Sequence, residues 1–303
     1  MLLQNCSLCL QERQLQQSHI LPKFVVAWLK DNVPGAIRKG DKPNRRIQDS
    51  DKLHLLCSNC EEILSKFETN FAEKVFNPWN MNALAHGPIS YGPWALKCLI
   101  SISWRVLLFH SRTQGLPNLR TEKVKKECEH ALERWRLFIL DRVSSPDPYI
   151  QHLLPMEILQ SHTLSNLSPF MNRYIVSTLD HDVIGSNDSA YAYSKLGSLL
   201  LFGTILEPGS HEWDGTQVAV DGGDIRIKKY CIPARIWGFI NDRSNLVAQL
   251  HSQISLRQQE KVESSMLKNI NKLASSKLGK AIEADVQFGC EKAFDITKKR
   301  DDD

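Results

Sequence analysis

Apolar positions recur along this chain with two spacings, and the change from one to the other divides it. Ile63, Leu64, Phe67, Phe71 and Val75 fall on one side at about 100° per residue, which predicts an amphipathic helix from Cys60 that ends before Pro78. Trp94 to Ser111 is apolar and rich in helix-compatible residues, and Thr121 to Asp141 carries Glu and Lys pairs with Leu132, Trp135 and Ile139 on one face. Two or three packed helices are expected there. After Pro169, β-branched runs are separated by Gly, Asn and Asp. Arg173 to Leu179, Ala190 to Leu206, Thr216 to Val220 and Ile225 to Ile232 therefore read as an antiparallel sheet. Trp237, Phe239 and Ile240 reopen a helical pattern. Asn245 to Asp285 then has so few breakers that a long polar helix or helical hairpin is expected, with a frayed charged end from Lys298 to Asp303.

These 303 residues, 42% of them hydrophobic, suffice for one large domain or two ordinary ones. The formal charge of +4 permits nucleic-acid binding without arguing for it. Cys6 and Cys9 interrupt the opening before any signal-peptide pattern can form, and the longest apolar tracts, Leu96 to Phe109 and Leu199 to Leu206, are too short or too mixed to span a bilayer. A soluble, cytoplasmic protein with no membrane association is expected. In a reducing compartment eight cysteines do not suggest a disulfide framework. Four of them form two C-x-x-C pairs, and metal is the natural explanation.

Cys6-Ser7-Leu8-Cys9 and Cys57-Ser58-Asn59-Cys60 supply four thiolates, the set that a tetrahedral zinc ion prefers. Four thiolates leave no open position for water, so such a zinc would be structural. Cys98, Cys128, Cys231 and Cys290 are isolated and read as small buried hydrophobes. Between the pairs, Asn32 to Lys52 reads as a long loop or open hairpin. In it Lys39, Lys42, Arg45 and Arg46 are candidates for phosphate contacts, which give affinity without sequence specificity.

Inside this frame stand Ser18-His19-Ile20-Leu21-Pro22 and, before the second pair, Leu53-His54-Leu55-Leu56. The arrangement resembles the cysteine-framed branch of the HNH endonucleases, in a bacterial Ser-His-Ile-x-Pro variant, over about a quarter of the chain. The resemblance implies an α+β fold. An N-terminal zinc-stapled treble-clef (ββα-metal) module, residues 1–76, would be followed by a larger mixed helical and antiparallel-sheet domain, 77–243, and a helical C-terminal segment, 244–303. It also implies that His19 is the general base that draws a proton from water attacking a phosphodiester, with one Mg2+ or Mn2+ stabilising the charge on the phosphate. The acid that usually precedes the histidine is Ser18 here, a weaker magnesium ligand than a carboxylate. Glu61 stands where the family carries a ligand after the last cysteine, and Glu68, close to two turns on, shares a stripe with it.

The expected function is metal-dependent hydrolysis of DNA or RNA, in a layout resembling bacterial antiviral-defence effectors. The alternative is a zinc-stabilised nucleic-acid or protein binding module whose catalytic centre has decayed, and Ser18 supports it. A third reading, a structural subunit, makes the helical C-terminal region a surface for a protein partner or a second copy. His181 with Asp180 and Asp182, and His211 with Glu212 and Asp214, are a less favoured second metal site, because acids near turns are usually surface residues.

Overall fold

The computed structural model describes residues 3–33, 38–39, 42–46, 48–82, 87–116, 119, 121–160, 166–208, 212–226, 229–268 and 270–288. Strands β1 (Gln4–Asn5), β2 (Glu12–Arg13) and β3 (Leu15–His19) precede helix α1 (Lys23–Asn32). Then come β4 (Arg38–Lys39), β5 (Lys42–Arg46), β6 (Lys52–Cys57), α2 (Ser58–Phe71), a π-turn at Ala72–Phe76 and α3 (Asn77–Asn82). Next are β7 (Ile89–Tyr91), α4 (Pro93–Thr113), α5 (Glu122–Ile139), β8 (Gln151–Pro155), α6 (Met171–Ser177), β9 (His181–Gly185), β10 (Ala190–Leu196), β11 (Leu199–Leu206) and β12 (Gly223–Ile225). Helices α7 (Ala234–Ser252), α8 (Leu256–Lys268), α9 (Ile270–Ser275) and α10 (Lys277–Gln287) follow. The fold is mixed α+β with antiparallel sheets. No helix among the described residues is long and apolar enough to cross a membrane.

Two compact units interleave along the chain. The first gathers Met1–Val26, Ser50–Pro155 and Leu179–Ile232, and the second gathers Ala27–Asp49, Met156–Thr178 and Pro233–Asp303. The first unit is built around α4, whose residues from Ala95 to Leu107 are buried except Lys97. Such a helix must be enclosed on several sides. It packs against α2, α5 and one face of the sheet β8-β11-β10-β9. Helix and sheet approach closely at Gly203, where an added Cβ would lie 2.7 Å from the Ser103 hydroxyl. That hydroxyl donates to Gln151 Oε1 at 2.6 Å. The run from Ala190 to Leu206 forms a hairpin that turns at Gly197, whose φ of +59° is costly for any residue with a Cβ.

The second unit is held by buried polar ties. Asp285 of α10 accepts from the backbone N–H groups of Asn172 and Arg173 at 2.9 and 3.0 Å, capping the first turn of α6. The Asn241 side chain of α7 accepts from Ser168 N, and the Ser244 hydroxyl pairs with that of Ser168.

Several expectations need correction. Residues 173–179 form no strand: α6 occupies Met171–Ser177, and because all but its last residue is buried, apolar spacing carries no period there. Pro78 does not stop the helical run. Its missing N–H falls in the first turn of α3, and the preceding π-turn, closed by Asn77 N to Ala72 O, shifts the register to admit it. Thr216 to Val220 contributes only a bridge at Gln217, and β12 covers only the start of the Ile225 to Ile232 run, with another bridge at Cys231. The long C-terminal helix is broken into α7 to α10. Cys231 is exposed, whereas Cys98 and Cys128 are buried as expected. Cys290, His211 and the stretch from Lys298 to Asp303 lie outside the described residues.

Candidate metal centre and adjoining site

The first cysteine pair sits in the turn of the β1-β2 hairpin. Cys6 N donates to Gln11 O at 2.9 Å and Leu10 N to Cys6 O at 2.8 Å, with Leu10 at a φ of +63°. Ser7 N donates to Leu55 O at 2.9 Å, which docks this turn on β6. The second pair straddles a strand end and a helix start, Cys57 closing β6 and Cys60 lying in the first turn of α2. All four Sγ atoms lie within 4.8 Å of one another, and those of Cys9 and Cys57 are 3.9 Å apart. Tetrahedral ligands at about 2.3 Å from a common ion stand about 3.8 Å apart, so the cluster can hold a metal ion.

The surroundings favour thiolates. Burial pushes the Cys6 thiol up, but N–H groups of Cys9, Cys57 and Leu8 outweigh it and bring it down to about 7. The Cys57 N–H lies 3.3 Å from Cys6 Sγ. Burial raises the Cys9 and Cys60 thiols, a cost that a bound cation offsets. The positive end of α2 faces the cluster. Arg112 of α4 donates to the Ser7 hydroxyl at 2.9 Å, and Arg136 of α5 donates to Leu8 O at 3.0 Å, so two guanidinium groups clamp the first turn.

Strands β3 and β6 are antiparallel, with Ser18 opposite Leu53 and His19 opposite Lys52. This pairing brings Ser18 to α2, where its buried hydroxyl donates to Glu61 Oε1. His19 ends the strand, with a half-buried side chain. Successive side chains on a strand point to opposite faces, so His19 leaves β3 on the side away from Ser18. Its backbone carbonyl accepts from Arg105 Nη1 at 2.8 Å. The same guanidinium pairs with Glu68 Oε1 at 2.5 Å and reaches Ser101 O at 3.2 Å. Glu68 thus serves as the counter-ion of a buried arginine. A guanidinium this buried needs such a partner. Arg105 is a charge inside the apolar run of α4, and that pattern was the available sign that the run faces a polar partner.

Lys39, Lys42, Arg45 and Arg46 lie on the antiparallel pair β4-β5, in agreement with the expected open hairpin, and their side chains lie outside the described residues. His181 and Asp182 do not form a metal cluster with Asp180. His181 bonds instead to His110 of α4, at 3.0 Å from Nδ1 to Nε2. Among the described residues the four cysteines are the one group of three or more His, Cys, Asp or Glu side chains close enough to share an ion. No family model, curated protein or solved structure matches this chain.

Proposed function

We propose that the chain is a zinc-stapled, metal-dependent nuclease that hydrolyses phosphodiester bonds in DNA or RNA. The observation that carries this reading is the Ser18–Glu61 pair, which joins β3, the strand that ends at His19, to the helix that opens on the second cysteine pair. The order of a cysteine turn, two paired strands and a helix opening on the second cysteine pair supports reading this module as a treble clef. Four thiolates favour zinc and fill its coordination sphere, so this ion would hold the fold and take no part in the chemistry.

In this reading His19 removes the proton of the attacking water, a task for which imidazole is the usual side chain near neutral pH. Glu61 and the Ser18 hydroxyl hold Mg2+ or Mn2+, which would stabilise charge on the phosphate. Lys39, Lys42, Arg45 and Arg46 would contact the nucleic-acid backbone. The decayed binding module remains the second reading. It is favoured by the engagement of Glu68 with Arg105, which leaves Glu61 as the one carboxylate on the stripe for a cation.

Glu61→Gln tests the metal role. Cleavage should fall roughly tenfold to a hundredfold at limiting Mg2+ and recover in part as Mg2+ or Mn2+ is raised, with zinc content unchanged. A loss that no metal concentration relieves would give Glu61 a purely structural role.

A further inference from the structure

Outside the candidate site, the first unit holds two histidines in contact with each other, His110 buried and His181 half-buried. His110 Nε2 of α4 and His181 Nδ1 of β9 are 3.0 Å apart, with rings inclined at 73°. Phe109 stands edge-on to both rings. Each outer nitrogen has its own acceptor. His181 Nε2 lies 3.5 Å from Asp51 Oδ2, while His110 Nδ1 lies 3.1 Å from Gln114 Oε1 and 3.9 Å from Asp182 Oδ1. Asp51 comes from the segment entering β6, and its carbonyl accepts from Ile20 N at 2.9 Å, one residue beyond His19. The pair therefore ties α4 and β9 to the end of the β3-β6 hairpin.

Counting protons defines what the pair can do. With both rings neutral, His181 donates from Nε2 to Asp51 and His110 donates from Nε2 to His181 Nδ1. One further proton enters at His110 Nδ1, facing Gln114 and Asp182, and every N–H still has an acceptor. A second further proton must go to His181 Nδ1. Two N–H groups on two cations would then face each other at 3.0 Å, and the contact becomes repulsive.

We propose that His110 and His181 form a pH-operated latch that stays closed with at most one excess proton and on the second releases Asp51 and the β3-β6 hairpin from α4 and β9. The described groups facing the pair are Asp51 from the hairpin, Asp182 from β9, Gln114 from α4 and the neutral Ser194, opposite His181 on β10. The two carboxylates favour the first excess proton, while burial and the neighbouring imidazole hold His110 below its ordinary value of 6.5. The latch therefore opens on the acid side of the ordinary histidine range. It does not rest on the nuclease reading, since opening is read without substrate.

Ring nitrogen NMR and amide hydrogen exchange on the full chain test the proposal, with the exposed His130 as internal reference. The His110 resonances should change first and those of His181 in a separate second step, on the acid side of the step of His130. The protection factor of the Ile20 amide should fall about tenfold through that second step. In His110→Gln, which keeps a donor toward His181 but cannot take up a proton, that fall should vanish. Independent titration of both rings alongside His130 would overturn the proposal, as would an unchanged exchange step in His110→Gln. So would stoichiometric shifts of both ring resonances on adding zinc beyond what the cysteines bind, because the pair would then be a metal site. The wild-type titration decides the matter even if the variant fails to fold.

Discussion

Cys57→Ser should strip the chain of its metal and unfold the region around the cysteine cluster. Losing one thiolate should cost several kcal/mol of the ~10 or more that structural zinc supplies, comparable to the whole stability of an ordinary domain, about 5–15 kcal/mol. The damage should spread beyond the metal. The first cysteine turn is pinned to β6 through Ser7 N and Leu55 O, to α4 through Arg112 and to α5 through Arg136, so disorder there frees three elements of the first unit. Metal analysis should find one zinc per wild-type chain and none in Cys57→Ser, with a large fall in melting temperature that chelators reproduce in the wild type. The exposed Cys231 provides the control, since Cys231→Ser should change neither quantity. Full metal content and unchanged melting in Cys57→Ser would mean that the cluster does not hold the fold.

Acid should destabilise the protein through His152. Its ring is buried on β8 and stacked on Trp213 with centroids 4.1 Å apart. Nδ1 pairs with the Thr216 hydroxyl at 2.9 Å, while Nε2 is buried without a partner among the described residues. Burial disfavours the charged ring and brings its pKa from 6.5 down to about 4. Above pH 6.5 the ring is neutral in both folded and unfolded chains, and its contribution to stability is complete. Between pH 6.5 and 4 the unfolded chain binds the proton first, so stability falls as the pH falls, by about 3 kcal/mol over that window. Urea unfolding at pH 7 and pH 4.5 should therefore show a smaller acid loss for His152→Gln than for the wild type. The loss at His110, whose pKa is also lowered, is common to both proteins and cancels in the comparison. Equal acid losses would show that His152 titrates as an ordinary histidine.

What could be read in advance follows from the range of the forces involved. The cysteine frame was legible because two short turns of fixed spacing carry the whole signal, and the structure brings their sulfurs together across β1, β2, β6 and α2. Helices α4 and α5 were legible from local sequence, and the structure adds the cap of α5, the Thr121 hydroxyl, which accepts from Val124 N. The strand character of Ala190 to Leu206 was also legible, because such a run is a local signal. Long-range partners were not. Helix α6 forms where the sequence favours a strand, and its first turn is capped by Asp285, more than a hundred residues away. The spacing of Glu61 and Glu68 placed both on one stripe, but their fates differ because Ser18 meets one and Arg105 the other. His181 was legible as a titratable residue near a turn. Its contact with His110, 71 residues earlier, is a product of sheet and helix packing that no local pattern reports.

The role of His19 gives the most direct test of the nuclease reading. Single-turnover cleavage of plasmid, linear duplex and RNA should be followed with Mg2+ and with Mn2+, comparing the wild type with His19→Ala at matched zinc content. The account predicts cleavage of at least one substrate by the wild type and a fall of roughly 10²- to 10⁴-fold in His19→Ala, with melting temperature and nucleic-acid affinity nearly unchanged, because a general base acts in the transition state. A wild type that cleaves none of them with either metal, or a His19→Ala protein that cleaves as fast as the wild type, would contradict it.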